Sequence, residues 1–210
     1  MDVRIGPARS VLQQARVAQW MTVGWMVVEG TVAIGAGIAA RSVALTAFGV
    51  DSGIELFSSV VVLRRLLQRT EHDERGSMTG GERSATRLVG FALYALIVYI
   101  ALSAGVALVF RFEPEASPVG IGLTIASLGI MAVLWRWRLV LADRLGSPAL
   151  RGDAACSMVC LYMAGVALAG LLLNQFFGLW WADPLAALAL VWWIRGEANE
   201  ALEAGKPASD

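Results

Sequence analysis

Two pairs of potential metal ligands stand four residues apart in otherwise apolar stretches, Asp51 with Glu55 and Cys156 with Cys160. That spacing puts both members of a pair on one face of a helix, one turn apart. Two carboxylates so placed in hydrocarbon repel each other when both are ionised. Either a proton is held there or a cation sits between them. Alternation between those two states is the chemistry of a proton-coupled metal carrier; a polar cavity with a structural role alone is the other reading. Taken by themselves, the two cysteines also fit small core hydrophobes, and a continuous helix gives poor geometry for a disulfide between them. The acids lie near the middle of one apolar stretch and the thiols in the first half of another. If those stretches pack antiparallel, Asp51 comes level with Cys160 and Glu55 with Cys156. Two oxygens and two sulfurs then gather into a four-coordinate site.

The elements that must position these groups are membrane spans. Of 210 residues, 57% are hydrophobic and 16% charged, and the mean hydropathy is +0.63. A water-soluble domain carries about 25% charged residues and under about 50% apolar ones. Six apolar segments, at roughly 18–40, 42–63, 86–110, 117–141, 153–174 and 179–195, approach the ~20 residues that cross a bilayer. The chain therefore reads as an all-α integral membrane protein of six transmembrane helices. Basic residues set its orientation. Of 17 Lys and Arg, only Arg41 and Arg111 fall on one side. The others precede span 1, join spans 2 to 3 and 4 to 5, or follow span 6, so both termini are predicted cytoplasmic. Seven of the eight tryptophans sit near predicted span ends, and Trp25 lies inside span 1. No cleavable signal peptide is expected, because the first twenty residues are polar and mildly amphipathic.

Several function classes are excluded at this point. Zero net charge gives no basic surplus for a nucleic-acid partner. Two cysteines make no disulfide framework. An intramembrane hydrolase would want a histidine within the spans, and the only one, His72, lies in the polar loop 64–86 beside Glu71, Asp73 and Glu74. That loop could catch a metal ion, but a solvated charged loop is the better reading. Glu29 in span 1 either lines the same cavity as the acid pair or hydrogen-bonds within the bundle. Asp153, two residues after Arg151, is expected to form an interfacial ion pair or mark a helix start. Asp183, before Pro184, is expected to cap the start of span 6. Gly30, Gly35, Gly37, Gly165 and Gly170 lie within spans, where small residues let backbones approach.

The stretches ALTAFGVDSGIELFSS in span 2, RGDAACSMVC in span 5 and WWADPLAALAL in span 6, with Glu29–Gly30 in span 1, resemble the cation diffusion facilitator family of metal/proton antiporters. The likeness runs over about residues 18–196. It implies a cytoplasmic N-terminal segment (1–17), a six-helix transporter domain (18–196) and a short cytoplasmic tail (197–210). Carried over by position, it makes Asp51, Glu55, Cys156 and Cys160 the ligands of a transported divalent metal near mid-membrane. It implies efflux of Zn²⁺ or a similar metal from the cytoplasm, driven by inward proton movement. The chain would then be no enzyme, hold no permanent cofactor, and sit in a membrane, bacterial inner membrane by expectation. The family usually has His or Asp at the two fifth-span positions; thiols there favour soft metals such as Zn²⁺, Cd²⁺, Hg²⁺ or Cu(I) over Mn²⁺ or Mg²⁺. It also usually continues into a ferredoxin-like cytoplasmic domain that supports dimerisation. With fifteen residues after span 6, the expectation is a short member whose homodimer would rest on membrane helices. The competing class is a metal-binding membrane sensor or scaffold that moves nothing.

Overall fold

The computed structural model describes residues 6–68, 80–146 and 148–204. They form six helices: α1 (Gly6–Ala39), α2 (Val43–Gln68), α3 (Gly80–Phe110), α4 (Pro118–Leu145), α5 (Pro148–Phe177) and α6 (Ala182–Ala204). The His72 loop lies outside the described residues. Five helices are long and apolar enough to cross a membrane; α6, with its polar second half, is not among them. The chain is thus a multi-pass membrane protein. Most helices overrun the apolar segments read from the sequence, α1 by a dozen residues at its start. A helix is held by its own backbone hydrogen bonds and need not end where the hydrocarbon does.

Local chemistry places the ends. Ser117 caps α4 by accepting the Gly120 N–H at 3.1 Å, and Pro118 follows at the first helical position. Gly146 closes α4 in the left-handed conformation (φ 55°). Two tight turns place a non-glycine residue in that same region, Arg41 after α1 and Arg111 after α3, each at φ 53°. Such a residue costs roughly 1–2 kcal/mol, and the backbone offsets it. Ser42 N–H reaches Gly37 O at 2.9 Å, and Phe112 N–H reaches Ala107 O at 3.0 Å.

Helices α1, α2, α4 and α5 form a bundle, with α1 along α2 and α4, α4 along α5, and α2 reaching α5. The pair α3–α6 packs alongside, α6 against α5 and α3 against α2. The main core joins Met26, Phe48, Ile100, Met131, Met163 and Leu190, drawing on all six helices. A second cluster of Ala15, Leu66, Leu141 and Leu150 closes the end of the bundle where α2 finishes and α5 begins. Large apolar side chains such as Val133 and Trp192 stand exposed, as lipid-facing residues do in a bilayer.

Close approach concentrates between α1 and α2. A Cβ at Gly49 would come within 2.7 Å of the Ile34 backbone nitrogen, and one at Gly37 within 2.7 Å of the Thr46 nitrogen. Gly170 is also tight, 3.2 Å from the Ala186 Cβ, whereas nothing lies within 4 Å of Gly35. The expectation of packing glycines therefore holds for Gly37 and Gly170. It fails for Gly35, and Gly165 meets its nearest neighbour only at 4.0 Å.

Candidate metal centre

The groove between α2 and α5 gathers the acids and one thiol. Asp51, Glu55 and Cys160 each offer a ligand atom, and the three atoms lie within 4.8 Å of one another. All three residues are buried, Cys160 almost completely. Asp51 and Glu55 share a face because they are one turn apart on α2. Burying such acids in a bundle without an adjoining cation is costly. One oxygen of Glu55, Oε2, has no hydrogen-bond partner and is buried. The three groups could supply two oxygens and one sulfur to a single divalent ion, a donor set suited to Zn²⁺ or a softer metal. Cys156 lies one turn before Cys160 on α5; its side chain is outside the described residues.

Glu29 adjoins this cluster from α1. Its Oε1 accepts the Ser52 hydroxyl at 2.7 Å and the Cys160 thiol at 3.3 Å, and its Oε2 accepts the Trp25 indole N–H at 2.7 Å. Both sequence readings of Glu29 thus meet in one residue: it is hydrogen-bonded within the bundle and touches the site. The indole contact also explains why Trp25 lies inside a span rather than at its end. A half-buried indole N–H inside a span needs an acceptor, and Glu29 lies one turn along the same helix.

Two expectations are corrected. Asp153 forms no interfacial pair with Arg151, which instead meets Asp143 at 3.4 Å on the exposed surface. Asp153 is buried and pairs with Arg138 of α4 at 2.6 Å. It also accepts from Gln19 Nε2 at 2.7 Å and from the Ser59 hydroxyl at 3.0 Å. A charge so deep in the protein must be paired, and Arg151, two residues away on the same helix, does not share its face. Asp183 likewise does not cap its own helix. Its Oδ2 accepts the backbone N–H groups of Val43 and Ala44, at 2.8 and 3.3 Å, and its Oδ1 accepts the Ser42 hydroxyl. It caps α2. Ser42 caps the same end, accepting the Leu45 N–H at 3.0 Å.

Arg138, Ser157, Gln19 and Ser59 escape a sequence reading. Arg138 is counted there with the basic residues of the cytoplasmic surface, yet it is fully buried. Nothing in WRWRLV separates it from Arg136, which differs only in which side of α4 it faces. The signal lies in the pairing of α4 with α5, which the sequence does not display.

A family model described as the cation efflux transmembrane domain matches residues 16–198. No curated protein matches the chain.

Proposed function

This chain belongs to the cation efflux family, whose members carry metal cations across membranes, and from that premise we propose that it exports a divalent transition metal from the cytoplasm in exchange for protons. Zn²⁺ is the foremost substrate and Cd²⁺ the next. The observation that carries the proposal is the buried meeting of Asp51, Glu55 and Cys160 between α2 and α5. Cys156 would complete a four-ligand set from the adjacent turn of α5. In this reading α6 is the sixth span and both termini face the cytoplasm.

Ligand chemistry supplies the coupling. A thiol or carboxylic acid must lose its proton to bind metal, so metal entry releases protons and proton entry expels metal. Facing the cytoplasm near neutral pH, the site loads. Facing a more acidic outside, it is displaced. Helices α2 and α5 then have to rock around a fixed site so that it opens to one side at a time. No nucleophile or cofactor is called for, which makes the protein a carrier rather than an enzyme.

The test is transport in proteoliposomes that contain a zinc-sensitive dye, under an imposed pH gradient. The unsubstituted chain is expected to move Zn²⁺ only when the gradient is present, and Asp51→Ala and Cys160→Ala to move little. Equal transport by either variant would overturn the site assignment. Metal binding without any flux would leave a sensor or scaffold as the function.

A further inference from the structure

A continuous buried chain of polar groups runs from the metal cluster into the bundle, and it ends on an ion pair. The Ser157 hydroxyl of α5 donates to Glu55 Oε1, and Arg138 Nη2 of α4 donates to Ser157 Oγ. Arg138 Nη1 meets Asp153 Oδ2 at 2.6 Å. Asp153 is held in turn by Gln19 of α1 and Ser59 of α2. Arg138, Ser157, Gln19 and Ser59 are wholly buried and Asp153 nearly so. Every helix of the four-helix bundle contributes one member or more.

We propose that Ser157 and Arg138 are positioning residues for the metal site, fixing Glu55 so that one carboxylate oxygen is held and the other is left for the metal. The proposal deepens the metal-site reading above and rests on it. A serine hydroxyl has one proton. Two acceptors lie within its reach, the Asp153 carbonyl at 3.3 Å and Glu55 Oε1, and the carboxylate oxygen is much the nearer, so the proton goes to Glu55. The remaining oxygen, Oε2, is the buried acceptor that lacks a partner, the one free to ligate. Ligating carboxylates are commonly held in this way by a hydrogen bond behind the metal.

The order of the chain matters. An arginine bonded directly to Glu55 would compete with a divalent cation for the same carboxylate. Here a neutral hydroxyl stands between them, and Asp153 balances the guanidinium charge. Orientation therefore reaches Glu55 without a rival cation at the ligand itself. Asp51 and Cys160 have no such support from α4, so the effect of Arg138 should be read through Glu55 alone.

The experiment measures Zn²⁺ affinity of the purified full chain at fixed pH, with Co²⁺ visible absorption reporting ligand geometry. Ser157→Ala is expected to bind Zn²⁺ about 10–100-fold more weakly and to change the Co²⁺ band, while eluting as the unsubstituted protein does. Ser157→Thr, which keeps the hydroxyl, should restore both readouts. Arg138→Gln should weaken binding in the same direction, and adding Ser157→Ala to it should cost little more, because both act on one path. Should Ser157→Ala not fold, Arg138→Gln made together with Asp153→Asn, which removes both charges of the buried pair at once, carries the test with Ser157→Thr as its folded reference. If Asp51→Asn abolishes binding while Ser157→Ala and Arg138→Gln bind Zn²⁺ normally with an unchanged Co²⁺ spectrum, the positioning role is overturned and the metal site stands. If Asp51→Asn also binds normally, the metal site falls and the positioning role with it.

Discussion

Asp183 of α6 reaches across to Val43 and accepts its backbone N–H at 2.8 Å, so the first turn of α2 is closed by a different helix. The first N–H groups of a helix have no partner inside it, and here a carboxylate also meets the positive end of the helix dipole. The contact therefore fixes where α2 begins, and with it the height of Asp51 and Glu55 two to three turns along. It also ties α6 to the bundle beside which α3 and α6 pack.

Removing that cap should destabilise the protein more than a surface change would. Asp183→Ala strips acceptors from Val43, Ala44 and Ser42 together. Loss of an N-cap costs about 0.5–2 kcal/mol, and the buried donors left behind put this case at the upper end. Asp183→Asn keeps one acceptor oxygen and should lose about half as much. Thermal unfolding in detergent checks the order; an Asn variant no better than the Ala variant would point to the charge rather than the hydrogen bonds.

Two glycines four residues apart on α2 should respond in opposite ways. A Cβ at Gly49 would meet the Ile34 nitrogen at 2.7 Å and the Ala33 Cβ at 2.9 Å, and backbone cannot step aside. Gly49→Ala should therefore push α2 from α1 and cost about 1–3 kcal/mol, as overpacking does. Gly53 has nothing within 4 Å, so Gly53→Ala should be neutral or stabilise by up to about 1 kcal/mol through helix propensity. The pair can be read side by side by unfolding midpoint. Equal destabilisation of both would contradict the α1–α2 approach described above.

How much of this was legible in the sequence depends on whether a feature is local to one helix. The spacing of Asp51 and Glu55 states their shared face, because helical geometry alone decides it. Apolar length reads as six spans, and five of the six helices prove long and apolar enough to cross, because α6 carries Arg195 and Glu197 too early for length and composition to settle the sixth. Partners across helices are a different matter. Arg138 reads as one more positive-inside arginine, and Asp153 reads as a neighbour of Arg151, because sequence distance is the only distance available there. The pairing of α4 with α5 reverses both assignments. Asp183 shows the same limit: proline after it argues for a cap, and the argument is right about the role and wrong about the helix.

Metal affinity should fall as pH falls. The groups that meet at the site are two carboxyls and a thiol, and each must be deprotonated to ligate. Low pH fills them with protons and so favours the metal-free form; raising pH favours the bound form. For each proton displaced, Kd should drop about tenfold per pH unit in the range where that group is protonated. Titrating Zn²⁺ into lightly buffered protein with a pH indicator measures the release directly. Affinity independent of pH, with no proton release, would remove the basis for exchange.

Changing the sulfur at the site should change which metal it prefers. Cys160 is the described ligand candidate with soft character, and it comes to within 4.8 Å of both acids. A thiolate favours Cd²⁺ and Zn²⁺, whereas a third carboxylate favours harder ions such as Mn²⁺. Cys160→Asp should therefore lower the affinity for Cd²⁺ relative to Mn²⁺ by roughly tenfold or more, equivalent to about 1.4 kcal/mol. Cys160→Ser should weaken Cd²⁺ without a matching gain for Mn²⁺, since a hydroxyl stays protonated where a thiol does not. Both variants also alter the contact to Glu29 Oε1 at 3.3 Å, so affinities are best compared as ratios between metals within one variant. That ratio cancels a general loss of packing and leaves the softness of the ligand. A Cd²⁺ to Mn²⁺ ratio unchanged in Cys160→Asp would mean that the thiol does not touch the metal, and selectivity would then have to come from Asp51 and Glu55.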